Sequence, residues 1–292
     1  MKLSLGTVQF GLDYGITNQS GQMPLGLVSE VLALARLHGL ADLDTAISYG
    51  DAEARLGQIG VQGFRVVTKL PPLPWAFPVG VSDAGVWAAA QLKASLRRLG
   101  CDNVYGLLLH RPSDLLGIQG PALLDALLNM QAQGFVQKLG ISIYAPSELD
   151  AVMPLVRWGL VQAPFNLVDR RLQTSRWLEK LKDMDVELHT RSAFLQGLLL
   201  TRSDALPPKF APWLKQWRRW QDWQKVTGCS ALSACLAFPQ SFQEVDRVVV
   251  GIDSPAQLRA ILASKLEPLP SYWPDIESDD DLLINPSRWT EL

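Results

Sequence analysis

Four ionisable side chains in the first 110 residues make up a set able to protonate a carbonyl oxygen: Asp44, Tyr49, Lys69 and His110. A phenol is a poor acid near neutrality, with a pKa of about 10. A neighbouring ammonium favours the phenolate, and a carboxylate beside that ammonium keeps it charged and oriented. An imidazole can then orient the substrate oxygen and complete a proton-donating site. A carbonyl that receives hydride needs this help, because negative charge grows on its oxygen during transfer. Each residue alone has a plainer role, as helix cap, packed ring, solvated cation or satisfied core imidazole. The chemistry requires a fold that brings all four together.

The elements around them suggest such a fold. Asp44 and Lys69 lie at or near the ends of the apolar runs Leu40–Ala46 and Phe64–Leu70, His110 closes Val104–His110, and Tyr49 follows the first of these in a loop. Further strand-like runs are Leu3–Phe10, Val136–Ile143, Leu160–Phe165, Val186–Phe194 and Arg247–Ile252. They are rich in Val, Ile and Leu without polar alternation, as parallel strands covered on both faces should be. Between them, Val28–Leu37, Val86–Leu99, Leu123–Met130 and Trp177–Leu181 place apolar residues three and four apart. The alternation predicts an α/β fold, a single-domain (β/α)8 TIM barrel over residues 1–266. An open doubly wound sheet is the rival, but no Gly-x-Gly-x-x-Gly follows the first strand. Residues 267–292 are proline-rich and then acidic through Asp279–Asp281, with Trp273 and Trp289, and read as an irregular extension packed on the barrel. On such a barrel, reactive groups sit where strands end and βα loops begin.

Composition narrows the class. With 27 basic and 29 acidic residues the 292-residue chain has a net charge of −2, and its basic residues are scattered, which argues against nucleic acid as a partner. No run of about 18 apolar residues suggests a membrane span. Cys101, Cys229 and Cys235 match neither a disulfide framework nor a zinc motif, and nothing reads as a metal site. A cytoplasmic location and a small-molecule substrate are expected. Nothing indicates an oligomeric state.

The ordered segments resemble the aldo-keto reductase family from about Leu5 to Leu262. They are Leu-Gly-Thr-Val-Gln-Phe-Gly (5–11), Leu-Asp-Thr-Ala-Ile-Ser-Tyr-Gly-Asp-Ala-Glu (43–53), Val-Thr-Lys-Leu (67–70), Leu-Leu-Leu-His-Arg-Pro (107–112), Lys-Leu-Gly-Ile-Ser (138–142), Val-Gln-Ala-Pro-Phe-Asn (161–166), Arg-Ser-Ala-Phe-Leu-Gln-Gly-Leu-Leu (191–199) and Val-Val-Gly-Ile-Asp-Ser-Pro-Ala-Gln-Leu (249–258). The resemblance implies reduction of an aldehyde or ketone by NADPH, or by NADH, without metal. Tyr49 would be the general acid, Lys69 and Asp44 its tuning pair and His110 the carbonyl-orienting group. It implies that Ser142 and Gln162 hold the nicotinamide carboxamide, that Thr7 is a first-strand contact and that Ser192 lies at the pyrophosphate. Gly251, Asp253 and Gln257 would lie at the adenosine end. There a helix capped at Ser254 is expected to offer backbone N–H groups to an anion.

This chain also departs from the family pattern. Arg191 stands where an aromatic ring usually underlies the nicotinamide, Ile143 where Asn or Arg often follows the serine, and Ala260–Ile261 where Glu-Asn commonly grips adenine. Gly251 replaces a lysine that some members direct at the 2′-phosphate, with Arg259 a nearby cation. These changes motivate a second reading, a nicotinamide-binding sensor with little turnover. A third is a Schiff-base lyase using Lys69. Outside the set, Trp213, Trp217, Trp220 and Trp223 fall at helical spacing and read as a core stripe in preference to a wall for a ring-shaped ligand. Trp75 is expected to wall the substrate site, and Arg170–Arg171 either bind an anion or pair at the surface. Ser147 is expected to cap a helix, and His189 to be structural.

Overall fold

The structure, a computed structural model, describes every residue except 1, 17, 19 and 265–270. Eight parallel strands form a closed barrel: β1 (Leu3–Gly6), β2 (Asp42–Asp44), β3 (Arg65–Leu70), β4 (Val104–Leu109), β5 (Val136–Ser142), β6 (Leu160–Pro164), β7 (Glu187–Arg191) and β8 (Arg247–Gly251). Closure occurs where β1 pairs on both sides, Leu5 opposite Leu43 and opposite Val250. All eight apolar runs become strands, and the rival open sheet is excluded.

Most strands stop one or two residues short of the ends of the apolar runs, and two stop earlier still. β1 stops at Gly6, and Val8–Gly11 forms one helical turn. β7 stops at Arg191, because Ser192 takes φ +63° and turns the chain. After Ala193 and Phe194 the chain returns to left-handed backbone at Leu195 and Gln196, φ +47° and +52°, and at Gly197, φ +89°. Non-glycine residues in that region are strained and mark a loop held by its surroundings.

Successive side chains in a strand point to opposite faces. Leu5, Leu43, Val66, Leu107, Ile141, Val161, Leu188 and Val250 point outward and are buried against the helices. Val67, Leu108 and Leu160 form a separate buried cluster inside the barrel. Below it the barrel closes with charge. Asp42 takes Arg65 at 2.6 Å and Arg247 at 2.7 Å, and Glu187 takes Tyr105 at 2.5 Å, Lys138 at 2.6 Å and His189 at 2.8 Å.

Helices Leu25–Leu37, Ala52–Ile59, Ala84–Leu99, Gly120–Ala132, Ser147–Val152, Trp177–Asp183, Ala231–Gln240 and Pro255–Ala263 surround the sheet. Ser147 is not a cap. Pro146 holds that position, and Glu148 accepts instead from the N–H groups of Tyr144 and Ala145 at 2.6 and 2.8 Å. Three of the four tryptophans, Trp217, Trp220 and Trp223, belong to the helix Leu214–Thr227 and are buried, whereas Trp213 precedes that helix, is half-buried and donates its indole N–H to Asp280 at 3.1 Å. The indoles of Trp217 and Trp220 donate to the carbonyls of Leu198 and Leu199, tying the helix to the loop after β7. The boundary expected at 266/267 lies outside the described residues. From 271 onward the chain covers this face: Trp273 stacks on Trp223 at 6.5 Å, and Ile276, Leu283, Ile284 and Trp289 are buried. Among the described residues no helix is long and apolar enough to cross a membrane.

Candidate active site

The same alternation that sends Leu43 and Ile141 outward sends Gly6, Asp44, Lys69, Ser142, Gln162, Arg191 and Gly251 inward at the C-terminal rim. The register aligns them: Gly6 lies opposite Asp44 and Gly251, Lys69 opposite Leu108, and Ser142 opposite Gln162. Lys69 is fully buried and spends its three ammonium donors on Asp44 Oδ1, Asp44 Oδ2 and the Thr45 carbonyl, each at 2.8 Å. Gln162 Nε2 donates to Asp44 Oδ1 at 2.6 Å, and Ser142 Oγ lies 3.5 Å from Gln162 Oε1. Thr7 braces the far side, its N–H and hydroxyl both donating to the Asp44 carbonyl at 3.0 Å.

Tyr49 comes from the β2 loop. Its ring centre lies 5.1 Å from Lys69 Nζ, and the His110 ring meets it edge-on at 6.1 Å. Ser48 Oγ lies 3.3 Å from His110 Nδ1. This loop is seated by two glycines. A Cβ at Gly11 would lie 1.9 Å from the Tyr49 carbonyl oxygen, and one at Gly50 (φ +56°) 2.2 Å from the Gly11 oxygen. Sequence reading missed Gly11, whose only signal is its place beside the first strand.

Burial sets the protonation states. It raises the Tyr49 phenol above its ordinary range, and the Asp44 carboxylate adds to the effect while Arg191 opposes it. Burial also lowers the Lys69 ammonium, against the pull of Asp44. His110 is lowered to about 4, first by burial and then by Lys69 and Arg191. At neutral pH the imidazole is therefore neutral and the phenol protonated.

Arg191 is half-buried, donates to the Ile143 carbonyl at 2.9 Å and to Ser192 Oγ at 3.3 Å, and lies 4.6 Å over the Tyr144 ring. All these partners are neutral, and among the described residues it has no ion pair, so its charge faces the cavity uncompensated.

Asp44, Tyr49, His110, Ser142, Gln162, Arg191, Ser192 and Thr7 line one cavity of about 300 Å³, with Tyr144 and Phe194. A second cavity of about 370 Å³ adjoins it and contains Asp253 and Gln257. Gln9, Tyr14, Phe194, Gln196 and Gly251 line both, which makes one long trough. Tyr14 and Gln196 join across loops by a 2.9 Å bond. None of Gln9, Tyr14, Tyr144, Phe194 and Gln196 was singled out from sequence; loop geometry alone brings them in. A larger cavity, about 800 Å³, lies between the helices Ala84–Leu99 and Gly120–Ala132, away from this chemistry.

Other candidates fall elsewhere. Trp75 is fully exposed and outside the trough. Arg171 pairs with Asp169 at 2.9 Å, and Arg170 donates to the Pro274 carbonyl at 2.7 Å, so both brace the chain's end and neither is free to receive an anion. His189 is buried against Glu187. Ser254 does cap its helix, accepting from Gln257 N at 3.2 Å, while Gln257 Oε1 takes the Asp253 N–H at 2.7 Å. Those two N–H groups are thereby spent inside the protein, and are not left for an anion.

The aldo/keto reductase family model matches residues 2–274. The chain belongs to the aldo/keto reductase family. It is accordingly an NAD(P)-dependent oxidoreductase. Among solved structures, the aldo-keto reductase AKR11C1 from Bacillus halodurans (holo form) aligns with TM-score 0.71 at 19% identity, covering 92% of this chain and 88% of that one. The thermostable aldo-keto reductase Tm1743, in complex with the inhibitor epalrestat, aligns with TM-score 0.69 at 21% identity, covering 93% and 92%. Likeness at such identity bears on the fold. A search of curated proteins gives no significant match.

The trough of this aldo-keto reductase suits a dinucleotide. It is elongated, runs from the Tyr49 cavity to the helix at Ser254, and holds two enclosed oxygens without protein partners, Gln9 Oε1 and Asp253 Oδ1. Buried acceptors of this kind call for a donor.

Proposed function

We propose that this enzyme reduces an aldehyde or ketone to the alcohol, with Tyr49 donating the proton to the carbonyl oxygen. The observation that carries the reading is the convergence of Tyr49, the Lys69–Asp44 clamp and His110 on one cavity. A nicotinamide held in the trough would supply hydride, and the protein's residues supply placement and a proton. Neutral His110 orients the substrate oxygen beside the phenol. Asp44 keeps Lys69 charged and fixed against the Tyr49 ring, and Lys69 with Arg191 makes the cavity favourable to charge growing on oxygen. Ser142 and Gln162 hold the carboxamide, and Thr7 steadies Asp44 beneath them. Ser192 and the left-handed turn after it lie at the pyrophosphate, with Gly251, Asp253 and Gln257 beyond. Burial keeps Tyr49 protonated, the state in which it can hand a proton to the carbonyl oxygen. A cytoplasmic enzyme fits the reading.

The test is Tyr49→Phe with a panel of aldehydes and ketones. kcat/KM should fall by about 10²–10⁴ while cofactor affinity stays within about twofold. Undiminished turnover would remove Tyr49 from the mechanism. The sensor reading draws support from Arg191, whose unpaired charge disfavours an oxidised, cationic nicotinamide. It predicts cofactor binding without turnover of any carbonyl by the unaltered protein. The Schiff-base alternative is disfavoured, since Lys69 has no free donor or accessible surface with which to meet a carbonyl.

A further inference from the structure

The far end of the trough has an electrostatic character of its own. Among the described residues lining it there is no lysine or arginine, and the only ionisable groups are Tyr14 and Asp253. Arg259, on the adjoining helix, is paired with Glu30 at 2.6 Å. Asp253 Oδ1 is enclosed and unpartnered, and its Oδ2 takes only a long 3.3 Å bond from Gln257 Nε2. Gln9, 8% exposed, offers a second unpartnered acceptor where the two cavities meet. The N–H groups of Asp253 and Gln257, which a helix start would otherwise extend to a phosphate, are taken up by the cap.

This wall carries one carboxylate and no cation, and its side-chain donors, the amides of Gln9, Gln196 and Gln257 and the Tyr14 hydroxyl, are all neutral. A ribose hydroxyl satisfies its unpartnered acceptors, and a carboxylate makes a charge-assisted bond to such a donor. A phosphate brings further acceptors and negative charge, with no cation to neutralise either. We infer that this end of the trough takes a ribose with a free 2′-hydroxyl and rejects a 2′-phosphate, so that the enzyme selects NAD(H) over NADP(H), with Asp253 as the discriminating group. The inference rests on the nicotinamide-dependent reading above, and departs from the NADP preference expected from resemblance alone.

The experiment is titration of the full chain with NADH and NADPH, followed by quenching of tryptophan fluorescence. NADH should bind at least about tenfold more tightly, the scale of one close like-charge contact at moderate effective dielectric. Asp253→Asn should narrow that ratio by about tenfold, mainly by improving NADPH. Displacement of NADH isolates the adenosine end: 5′-AMP should compete, and adenosine 2′,5′-bisphosphate should do so at least tenfold less well. Equal or tighter binding of NADPH by the unaltered protein overturns the inference and leaves the hydride-transfer reading standing. A preference for NADH that Asp253→Asn leaves unchanged overturns the role of Asp253. Binding of neither dinucleotide overturns the nicotinamide-dependent reading, and this inference with it.

Discussion

Lys69 and Asp44 show how little freedom one residue has in this site. The ammonium is buried and tolerable only because the carboxylate and the Thr45 carbonyl take its three donors. Removing one partner leaves an uncompensated buried charge, which typically costs about 3–5 kcal/mol. Lys69→Met should therefore lower stability by about that amount in urea unfolding as well as depress kcat; a stable variant with only a kinetic defect would contradict the burial argument. His110 makes a prediction in pH. With its pKa lowered to about 4, it is neutral across the usual assay range, so kcat/KM for reduction should show no His110 inflection near pH 6.5. Stability carries the opposite signature. Between about pH 6.5 and 4 the unfolded chain binds a proton that folded His110 refuses, so this contribution is lost as pH falls through that window. His110→Gln should flatten that part of the stability–pH curve, as measured by thermal melts.

At the scale of the element, the loop after β2 decides where the phenol sits. Gly11 and Gly50 allow two backbones to touch, and the following helix Ala52–Ile59 is anchored by buried Glu53, which accepts from Thr68, Ser95 and Arg98 at 2.6–2.9 Å. A methyl group at Gly11 cannot fit without moving the Tyr49 carbonyl. Gly11→Ala should cost about 1–3 kcal/mol and lower kcat through misplacement of Tyr49, although it touches neither substrate nor cofactor. Gly26→Ala, in the helix Leu25–Leu37 where nothing lies within 4 Å of the added methyl, should leave kcat unchanged and stabilise by about 0.4–1 kcal/mol, and serves as the control.

The whole molecule divides its labour along the barrel axis. Its C-terminal rim carries the reaction groups, the middle is apolar, and the opposite end is held by the Asp42 and Glu187 networks. Tyr105, Lys138 and His189 hold the Glu187 carboxyl far below its usual range, against the cost of burial. That contribution is present above the ordinary carboxylate pKa and is lost as pH falls toward the depressed folded value. Glu187→Gln should lower Tm by roughly 5–10 °C near pH 7 and by less in acid. Because the network lies at the other end of the barrel, kcat/KM of the folded variant at 25 °C should not change.

Sequence alone determined a good deal here. The eight apolar runs are long enough, and apolar enough on both faces, to admit parallel strands, and residues two apart in a strand share a face. Asp44 and Lys69 at strand ends were thus legible as inward neighbours, and His110 just beyond β4 joins them. What the tertiary structure decided lies in the connections. No period governs a loop, so the helical turn at Val8–Gly11, the left-handed residues at Ser192 and Leu195–Gly197 and the exposure of Trp75 depend on contacts from distant segments. So does the fate of each charge. Sequence shows an arginine at 191, 171 and 259 alike; only folding pairs two of them with carboxylates and leaves Arg191 facing the cavity. Pairing needs approach within about 4 Å, and that distance is set by packing, not by residue type.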